Sequence, residues 1–463
     1  MPILPNMSGT IVAVMGLGKS GRSAGRALAE AGAVVWAWDD NDDTRAAARA
    51  EGLRLVDLAT ADLARARMVM WSPGIAHTYP KPHPVAIRAR AAGVPLLCDV
   101  ELLVLACPEA RFVAITGTNG KSTTTALTAH LIESAGRRVA AGGNLGIPAL
   151  DLPALGDGGV YVLELSSYQL ELLERSAFDA GVLLNITPDH LGRHGGMDGY
   201  IAAKASLFDR LRPQATAVVG TDDDPSRAIF ERLRKSMGRR AVPISAERDA
   251  TDGVSAPAGI LVDGAGGEPP IEIDLRAIPT LPGRHNWQNA CAAYATGRAL
   301  GLSPAAMRAG LATYPGLAHR QELVAEIDGV RYVNDSKATN ADAAARALVC
   351  YDDIYWIIGG QAKEGGIASL VPLFPRVRRA FLIGEASDAF AATLDGKLGY
   401  ERCGTLDVAV ARASAAARAE QRPHPVVLLS PACASWDQFK SFEQRGDRFR
   451  DLVKALAPAE AAR

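Results

Sequence analysis

The sequence lacks any pair of cysteines at C-x-x-C spacing, and it lacks a long apolar run. Six scattered cysteines indicate neither a zinc site nor a disulfide framework, so we expect a reduced setting. No apolar stretch approaches the ~20 residues that span a bilayer. The N-terminal segment also has neither a charged start nor an apolar core of the kind that directs secretion. We therefore expect a cytoplasmic protein without a membrane partner.

An excess of either charge is also missing. The 463 residues include 50 basic and 51 acidic side chains. Nothing therefore favours a nucleic-acid partner, whose electrostatic footprint would be a marked basic excess. Lysine is scarce, since only ten of the basic residues are lysines. Because only an ammonium can act as a compact point charge or lose its proton, these lysines are candidates for specific roles.

The most informative motif is a glycine-rich turn between an apolar run and a helix-favouring segment, in VAITGTNGKSTTT, residues 113–125. Such a turn lies at a helix N-terminus, where unpaired backbone N–H groups attract anions. Gly117 and Gly120 let the backbone approach phosphate oxygens. Lys121 supplies a charge for the terminal phosphates, and the Ser122 hydroxyl can bind magnesium. The spacing is shorter than that of Walker A, and a chance match in a surface loop is the alternative interpretation.

A second glycine motif lies near the start of the chain. Gly16, Gly18 and Gly21 form G-x-G-x-x-G between a strand and a helix. Asp39 and Asp40 end the next strand about twenty residues further on, as in the Rossmann fingerprint. This pattern predicts phosphates over the helix N-terminus and an acidic residue near a sugar hydroxyl. A nicotinamide cofactor and a nucleotide diphosphate both satisfy it.

Polar residues follow the predicted strands in the rest of the chain. Glu164 ends one apolar strand and His190 follows another, at the edge where open α/β sheets bind ligands. Glu164 is a candidate metal ligand because a buried carboxylate is costly without a partner. His190 is a candidate imidazole facing phosphates, with a simple strand-end role as the alternative. We predict irregular or β-rich structure for residues 243–285.

From about residue 317, four apolar strands alternate with alanine-rich helices, which predicts another mostly parallel sheet. Three polar clusters follow these strands, at residues 335–340, 361–363 and 430–435. Three clusters at one edge predict a binding site for a small, polar, anionic molecule.

Motifs along almost the whole chain identify a resemblance. The motifs are TGTNGKST, LELSSYQLE, NITPDHL, PGRHNWQNA, HRQE, NDSKATN and SPACASWDQFKSFEQRG. In this order they resemble the Mur ligase family, and within it the ligases that add D-glutamate to UDP-N-acetylmuramoyl-L-alanine. The resemblance implies three α/β domains. They are a Rossmann-like UDP-sugar domain (1–100), a central P-loop-type mononucleotide-binding domain for ATP (101–316), and a Rossmann-like, mostly parallel C-terminal domain for the amino acid (317–463).

The implied reaction forms an amide bond through an acyl phosphate and a tetrahedral intermediate, releasing ADP and phosphate for peptidoglycan precursor synthesis. The protein mainly positions and neutralises charge in such a reaction. By resemblance, Lys121 serves the phosphates, Ser122 and Glu164 hold one Mg²⁺, and His190 holds a second. In the family, the lysine that matches Lys204 is carbamylated by CO2, so the resemblance implies that Lys204 is a further metal ligand. An amine must first lose its proton to react in this way, so a lowered pKa is required.

The resemblance also assigns the remaining substrate contacts and implies a monomer. The ATP site comprises Gly117, Thr118, Asn119, Gly120, Lys121, Ser122, Thr123, His285, Asn289, Arg320 and Asp335. The UDP-sugar site comprises Lys19, Ser20, Asp39, Ser72 and Asn144. The D-glutamate site comprises Thr339, Lys363, Ser435, Trp436 and Phe442.

Two departures from the family pattern bear on the fine geometry. Gln361 stands where an aspartate is common, so a charge of the amino-acid pocket is missing or comes from Glu364. Gly192 stands where an acidic residue is common beside His190. The alternatives are a sister Mur ligase for another amino acid, a ligase resembling folylpolyglutamate synthetase, or a nucleotide-controlled switch without enzymatic activity. The diaminopimelate-adding relatives carry Asn-Pro-Arg, which this sequence lacks, and the folate relatives have glycine where Ser122 stands.

Overall fold

The computed structural model describes residues 2–144, 146–236, 240–264, 271–362 and 365–456. It contains three mostly parallel sheets with helices between their strands, so the predicted α/β class is confirmed. The chain forms two compact units. The first comprises Met1–Leu275 with Asn286–Thr313, and the second comprises Arg276–His285 with Tyr314–Arg463.

The first unit begins with a parallel four-stranded sheet in the order β2-β1-β3-β4. Its strands are β1 (Ile11–Met15), β2 (Val34–Trp38), β3 (Met68–Trp71) and β4 (Leu96–Leu97). Its helices are α1 (Lys19–Glu30), α2 (Asp42–Ala50), α3 (Pro84–Ala91) and α4 (Asp99–Ala106). Because β1 and β3 are parallel neighbours, the glycine motif after β1 and Ser72 after β3 lie at the same edge.

The same unit contains a nine-stranded sheet in the order β13-β12-β11-β10-β9-β8-β5-β7-β6. Its strands are β5 (Arg111–Thr116), β6 (Val139–Gly143), β7 (Val160–Glu164), β8 (Phe178–Leu183), β9 (Leu211–Gly220), β10 (Arg240–Ser245), β11 (Val254–Ser255), β12 (Ile260–Asp263) and β13 (Ile271–Asp274). The helices in this part of the chain are α5 (Lys121–Ser134), α6 (Ser167–Leu170), α7 (Met197–Ala205), α8 (Asp224–Lys235), α9 (Arg284–Ala299) and α10 (Pro304–Ala312). Strand β5 is parallel to both β7 and β8, so the segments that follow these three strands meet at one edge.

The second unit contains a six-stranded sheet in the order β14-β15-β19-β16-β17-β18. Its strands are β14 (Glu322–Ile327), β15 (Val330–Asn334), β16 (Ile354–Gly359), β17 (Val377–Ile383), β18 (Tyr400–Gly404) and β19 (Val426–Leu429). Its helices are α11 (Ala341–Leu348), α12 (Ser387–Leu394), α13 (Leu406–Ala419) and α14 (Phe442–Leu456). Alternate residues of its strands pack into two separate apolar cores, one on each face of the sheet.

Several sequence-based expectations can be compared with these elements. The four strands predicted in the C-terminal part are β15, β16, β17 and β19, whereas the edge strands β14 and β18 were not predicted. Residues 243–285 contain the antiparallel strands β12 and β13, in agreement with a β-rich segment. Each sheet falls within one predicted domain range, and the boundaries themselves stay a prediction. Among the residues that the structure describes, no helix combines the length and apolar character needed to cross a membrane.

Candidate active site

The glycine-rich turn joins β5 to α5, and we call residues Gly117–Gly120 the nucleotide loop. Gly120 precedes α5 with a φ of 84°, a left-handed conformation that favours glycine. A Cβ at this position would lie 2.2 Å from Oδ1 of Asn289. In the described part of the chain no side chain caps this helix end. The N-terminus of α5, where helix N–H groups favour an anion, therefore lies directly after this loop.

Residues that follow β8 hold the nucleotide loop in place. The backbone N–H groups of Thr118 and Asn119 donate to the carbonyl and the side-chain oxygen of Asn185, at 2.8 and 2.9 Å. The Thr118 hydroxyl donates to the carbonyl of Thr187 at 3.1 Å and also contacts the Tyr200 hydroxyl at 3.1 Å. These contacts with Asn185, Thr187 and Tyr200 therefore hold the nucleotide loop in one conformation.

Two lysines contact the loop. Lys121 Nζ donates to the carbonyl oxygens of Gly117 and Thr118, at 2.9 and 2.8 Å. Lys204, on α7, is 1% exposed and donates from Nζ to the Gly117 carbonyl at 2.8 Å. Burial, together with the charge of Lys121, holds the pKa of Lys204 well below its usual range, against smaller opposite effects of Asp189 and Glu164.

Glu164 ends β7 beside the loop and is 3% exposed. Its Oε1 accepts a hydrogen bond from Asn144 Nδ2 at 2.7 Å, whereas Oε2 is buried without a hydrogen-bond partner among the described residues. A buried carboxylate oxygen of this kind suits a hard cation such as Mg²⁺. Ser122, in the first turn of α5, is also buried and offers a hydroxyl oxygen. Across the described residues no three His, Cys, Asp or Glu side chains converge, so this oxygen set would need a further ligand to hold a metal.

His190 lies outside this buried group. It has a φ of 51°, and its side chain is 56% exposed. Its Nε2 lies 3.5 Å from Asp189 Oδ2, and its ring centroid lies 5.4 Å from that of Tyr168. An exposed imidazole in this position is accessible to a ligand.

Asn289 lies beneath the nucleotide loop in α9. It is 2% exposed, and its Oδ1 accepts a hydrogen bond from Thr124 at 3.2 Å. Its Nδ2 donates to Asn286 Oδ1 at 3.2 Å. The structure therefore brings Asn289 to the start of α5, together with the loop residues.

The first sheet has the close backbone approach that its glycine motif predicts. A Cβ on Gly21 would lie 1.8 Å from the Gly16 carbonyl oxygen. Asp39 directly follows β2, and its Oδ2 accepts a hydrogen bond from the backbone N–H of Leu17 at 2.7 Å. The N-terminus of α1, which begins with Lys19 and Ser20, therefore lies directly after this glycine turn. Asn144, which is also assigned to the UDP-sugar, donates a hydrogen bond to Glu164 Oε1.

In the second unit, Asp335 is the acidic residue of the predicted ATP set. It is 6% exposed, its Oδ2 accepts from the Ser430 hydroxyl at 2.8 Å, and its Oδ1 accepts from the Gln321 backbone at 3.2 Å. Burial raises the pKa of Asp335 to about 7, although these hydrogen bonds and the charges of Arg320 and Arg445 lower it.

The buried Arg445 joins two of the polar segments that follow strands of the third sheet. Its Nε donates to the Ser336 hydroxyl at 2.9 Å, and one terminal nitrogen donates to the carbonyls of Ser336 and Cys433, at 2.8 and 3.1 Å. The Ser336 hydroxyl in turn donates to the Phe442 carbonyl at 2.8 Å. Arg445 therefore fixes the loops that carry the predicted D-glutamate residues.

The other predicted residues of this unit are distributed as follows. Ser435 is buried, Trp436 is 73% exposed, and Thr339 and Arg320 are half-buried. His285 Nε2 lies 3.1 Å from Gln321 Nε2, and burial lowers the pKa of His285 to about 4, with a smaller contribution from Arg346. Gln361 pairs through its backbone with Ala434. Lys363 and Glu364 lie outside the described residues.

Sequence reasoning missed three residues that shape these loops, namely Asn185, Tyr200 and Arg445. Asn185 and Arg445 lie within motifs that were noted for other members, NITPDHL and SPACASWDQFKSFEQRG. Tyr200 had no local signal, because its role depends on α7 packing beside the nucleotide loop. Its hydroxyl touches Thr118, and its ring lies 4.7 Å from Lys204 Nζ.

Comparisons with known proteins cover the whole chain. The pattern of the Mur ligase middle domain matches residues 115–297, and that of the Mur ligase glutamate ligase domain matches residues 319–433. The chain is 60% identical over 459 residues to the UDP-N-acetylmuramoylalanine--D-glutamate ligase of Paramagnetospirillum magneticum, covering 99% of both chains. It is 56% identical to the enzyme of the same name from Rhodospirillum rubrum, covering 98% of this chain and 96% of the relative.

Solved structures agree at the level of the fold. UDP-N-acetylmuramate-alanine ligase from Thermotoga maritima aligns with a TM-score of 0.57 and 17% identity, covering 96% of this chain and 99% of that one. MurF from Acinetobacter baumannii aligns with a TM-score of 0.55 and 20% identity, covering 75% and 77% of the two chains.

Proposed function

This chain belongs to the Mur ligase family, and we propose that it joins D-glutamate to UDP-N-acetylmuramoyl-L-alanine with cleavage of ATP to ADP and phosphate. The full-length similarity to ligases of that name carries the proposal. The loop between β5 and α5 supports it, because it brings Lys121 to the N-terminus of α5, where helix N–H groups favour an anion. We assign the protein to cytoplasmic peptidoglycan precursor synthesis, as a monomer with the three domains predicted from the sequence.

Carboxylate activation is the first step of the proposed reaction. An oxygen of the L-alanyl carboxylate attacks the γ-phosphorus of ATP, and the bond between that phosphorus and ADP breaks, which gives an acyl phosphate and ADP. The nucleotide loop and Lys121 hold the phosphates in line for this attack. We assign the remaining ATP contacts to Thr118, Asn119, Thr123, His285, Asn289, Arg320 and Asp335.

Amide formation follows. The D-glutamate amine attacks the acyl carbon, the tetrahedral intermediate expels phosphate, and the amine loses a proton. We propose that Thr339, Lys363, Ser435, Trp436 and Phe442 bind D-glutamate. The buried contacts of Arg445 support this assignment, because they link Cys433, near Ser435, to Ser336, whose hydroxyl donates to the Phe442 carbonyl at the start of α14.

We propose that Lys19, Ser20, Asp39, Ser72 and Asn144 bind the UDP-sugar. The close approach of α1 to the glycine turn supports a diphosphate there, since the backbone reaches the ligand without side-chain hindrance. The ligand that we propose for this motif is a uridine diphosphate and not the nicotinamide cofactor that the motif would also accommodate.

Bound magnesium would neutralise charge that develops on the transferred phosphoryl group. We propose Ser122 and Glu164 for one ion, His190 for a second, and Lys204 as a carbamate. The unpartnered Oε2 of Glu164 supports a cation at this position. The carbamate forms when the neutral amine of Lys204 attacks CO2 and releases a proton. The surroundings of Lys204 support this step. Its burial and the nearby positive charge of Lys121 both favour the neutral amine over the ammonium.

A phosphate-release assay tests the proposed function. Purified protein with ATP, Mg²⁺ and UDP-N-acetylmuramoyl-L-alanine is scanned over amino acids. We expect release only with D-glutamate. Release with L-lysine or diaminopimelate instead would indicate a sister ligase, and release without any amino acid would indicate a nucleotide-controlled switch.

A further inference from the structure

A carboxylate outside the proposed ligand sets is shared by two histidines in the first unit. Glu171 Oε1 lies 2.9 Å from Nδ1 of His194, and its Oε2 lies 3.1 Å from Nε2 of His77. His77 and His194 are 4% and 3% exposed. Three ionisable side chains in one largely buried contact are costly to assemble, so the arrangement calls for a physical role.

Arg90 determines where the proton of His77 lies. Its terminal nitrogens donate to the backbone carbonyl of His77 and lie 3.0 Å from His77 Nδ1. An arginine nitrogen can only donate, so Nδ1 accepts and the ring proton is on Nε2, which lies 3.1 Å from Glu171 Oε2 in a contact without hydrogen-bond geometry. His194 has more freedom, because its Nε2 contacts the Ser167 hydroxyl at 2.9 Å and a hydroxyl can donate or accept.

The shared carboxylate joins two loops that carry proposed ligand residues. We call residues 72–77 the serine loop and residues 190–194 the histidine loop. Arg193 provides a second link between them, because it donates to the carbonyls of Gly74 and Pro73 at 2.9 and 3.3 Å. Ser72, proposed for the UDP-sugar, begins the first loop, and His190 begins the second.

The contacts continue from the histidine loop to the nucleotide loop. The ring of His194 stacks on Tyr168 at 5.3 Å between centroids and lies 5.3 Å from the ring of Tyr200. The Tyr200 hydroxyl contacts Thr118 at 3.1 Å. An unbroken series of contacts therefore runs from the serine loop through Glu171 to the nucleotide loop.

We propose that Glu171 is a positioning residue whose carboxylate, held between His77 and His194, couples occupancy of the serine loop by the UDP-sugar to nucleotide binding. The inference rests on the proposed function, which supplies the two ligands. Fixing the serine loop around one ligand fixes the histidine loop and, through Tyr200, the conformation that the other ligand requires. Because such coupling is reciprocal, each ligand tightens the binding of the other by the same factor.

The proton positions give a matched pair of variants. In Glu171→Gln the side-chain oxygen keeps an acceptor beside Nε2 of His77, while the amide donates to Nδ1 of His194, which then carries its proton toward Ser167. Glu171→Met has a similar shape and satisfies neither histidine. We therefore expect the glutamine variant to retain the coupling and the methionine variant to lose it.

The experiment measures affinity for the magnesium complex of adenylyl imidodiphosphate by calorimetry, with and without UDP-N-acetylmuramoyl-L-alanine. For the wild type we expect at least about fivefold tighter binding in the presence of the UDP-sugar. We expect less than about twofold for Glu171→Met and near wild-type coupling for Glu171→Gln. A purely structural role for Glu171 would lower the melting temperature of Glu171→Met without changing this ratio.

Failure of the inference differs from failure of the proposed function. A wild type that binds neither ligand contradicts the proposed function. A wild type that binds both without coupling, or a methionine variant that keeps the coupling, overturns the role of Glu171. If Glu171→Met does not fold, Arg90→Met decides, since Arg90 is exposed and its loss releases His77. Retained coupling in that variant also overturns the proposal.

Discussion

Lys204 and Lys121 donate to the same carbonyl oxygen, that of Gly117, at 2.8 and 2.9 Å. Two ammonium groups on one acceptor repel each other, and Lys204 is the more deeply buried of the two. Burial and the charge of Lys121 lower the pKa of Lys204, and we propose that its neutral amine reacts with CO2 beside the nucleotide loop. This relationship connects the fold to the proposed chemistry of the site.

Lys204→Arg should lose most of the activity, by at least about 100-fold in kcat, because a guanidinium keeps its charge and cannot form a carbamate. Turnover in the phosphate-release assay measures this loss, and the intact mass of the wild type should show one added carboxyl group. Lys454→Arg, a substitution of an exposed lysine on α14, is the control. Wild-type turnover in Lys204→Arg would remove the carbamate from the mechanism.

Glu164→Gln should raise the Mg²⁺ concentration needed for half-maximal rate by about tenfold or more, since it removes a charged oxygen ligand. Glutamine can still accept the hydrogen bond from Asn144, so folding should be preserved. Rates measured across a magnesium titration test this expectation. Glu133→Gln, at an exposed position of α5, should leave the titration unchanged. An unaltered magnesium dependence in Glu164→Gln would exclude Glu164 as a ligand.

Gly120→Ala should raise the KM for ATP by about tenfold or more, because its methyl group would displace Asn289 and distort the nucleotide loop. The left-handed backbone also costs roughly 1–2 kcal/mol for alanine. Gly136→Ala separates these effects. That residue follows α5 with a φ of 76°. Apart from its two chain neighbours, none of the described residues has an atom within 4 Å of the place that an alanine methyl group would take there. Equal KM values for the two variants would show that steric contact with Asn289 is unimportant.

Asp335→Asn should stabilise the unliganded protein more at pH 8 than at pH 4.5. The pKa of Asp335 is about 7 in the folded state and near 3.8 when unfolded. The native state therefore retains a proton that the unfolded state loses, and wild-type stability falls as the pH rises from about 4 to about 7. Asparagine does not ionise, so its gain in melting temperature should grow by about 3 °C or more over this interval.

Thermal unfolding at the two pH values measures that gain. Asp395→Asn, at an exposed carboxylate that directly follows α12, provides the comparison for loss of charge alone. A pH-independent difference between Asp335→Asn and the wild type would contradict the raised pKa.

The sequence predicts those parts of the site that depend on local chemistry. Gly117, Gly120 and Lys121 lie on one short turn, and a strand before it and a helix after it fix where the turn must lie. The parallel arrangement of β5, β7 and β8 likewise follows from alternating strands and helices, so Glu164 could be placed at the same edge.

Contacts between distant segments were not predictable in the same way. Lys204 was noted through resemblance, since nothing in an alanine-rich helix reveals that its amine reaches the Gly117 carbonyl. Glu171 looks like an ordinary helix-end carboxylate until α6 brings it between His77 and His194. The edge strands β14 and β18 were missed because their half-exposed, mixed sequences lack the apolar runs of the central strands.

The fate of one oxygen atom tests the central claim, that ATP activates a carboxylate for attack by D-glutamate. UDP-N-acetylmuramoyl-L-alanine labelled with ¹⁸O in its carboxylate is converted with ATP and D-glutamate, and the products are analysed by mass spectrometry. The oxygen that attacks the γ-phosphorus leaves with the phosphate, so we predict one labelled oxygen in each phosphate released. Unlabelled phosphate accompanying amide formation would contradict the account.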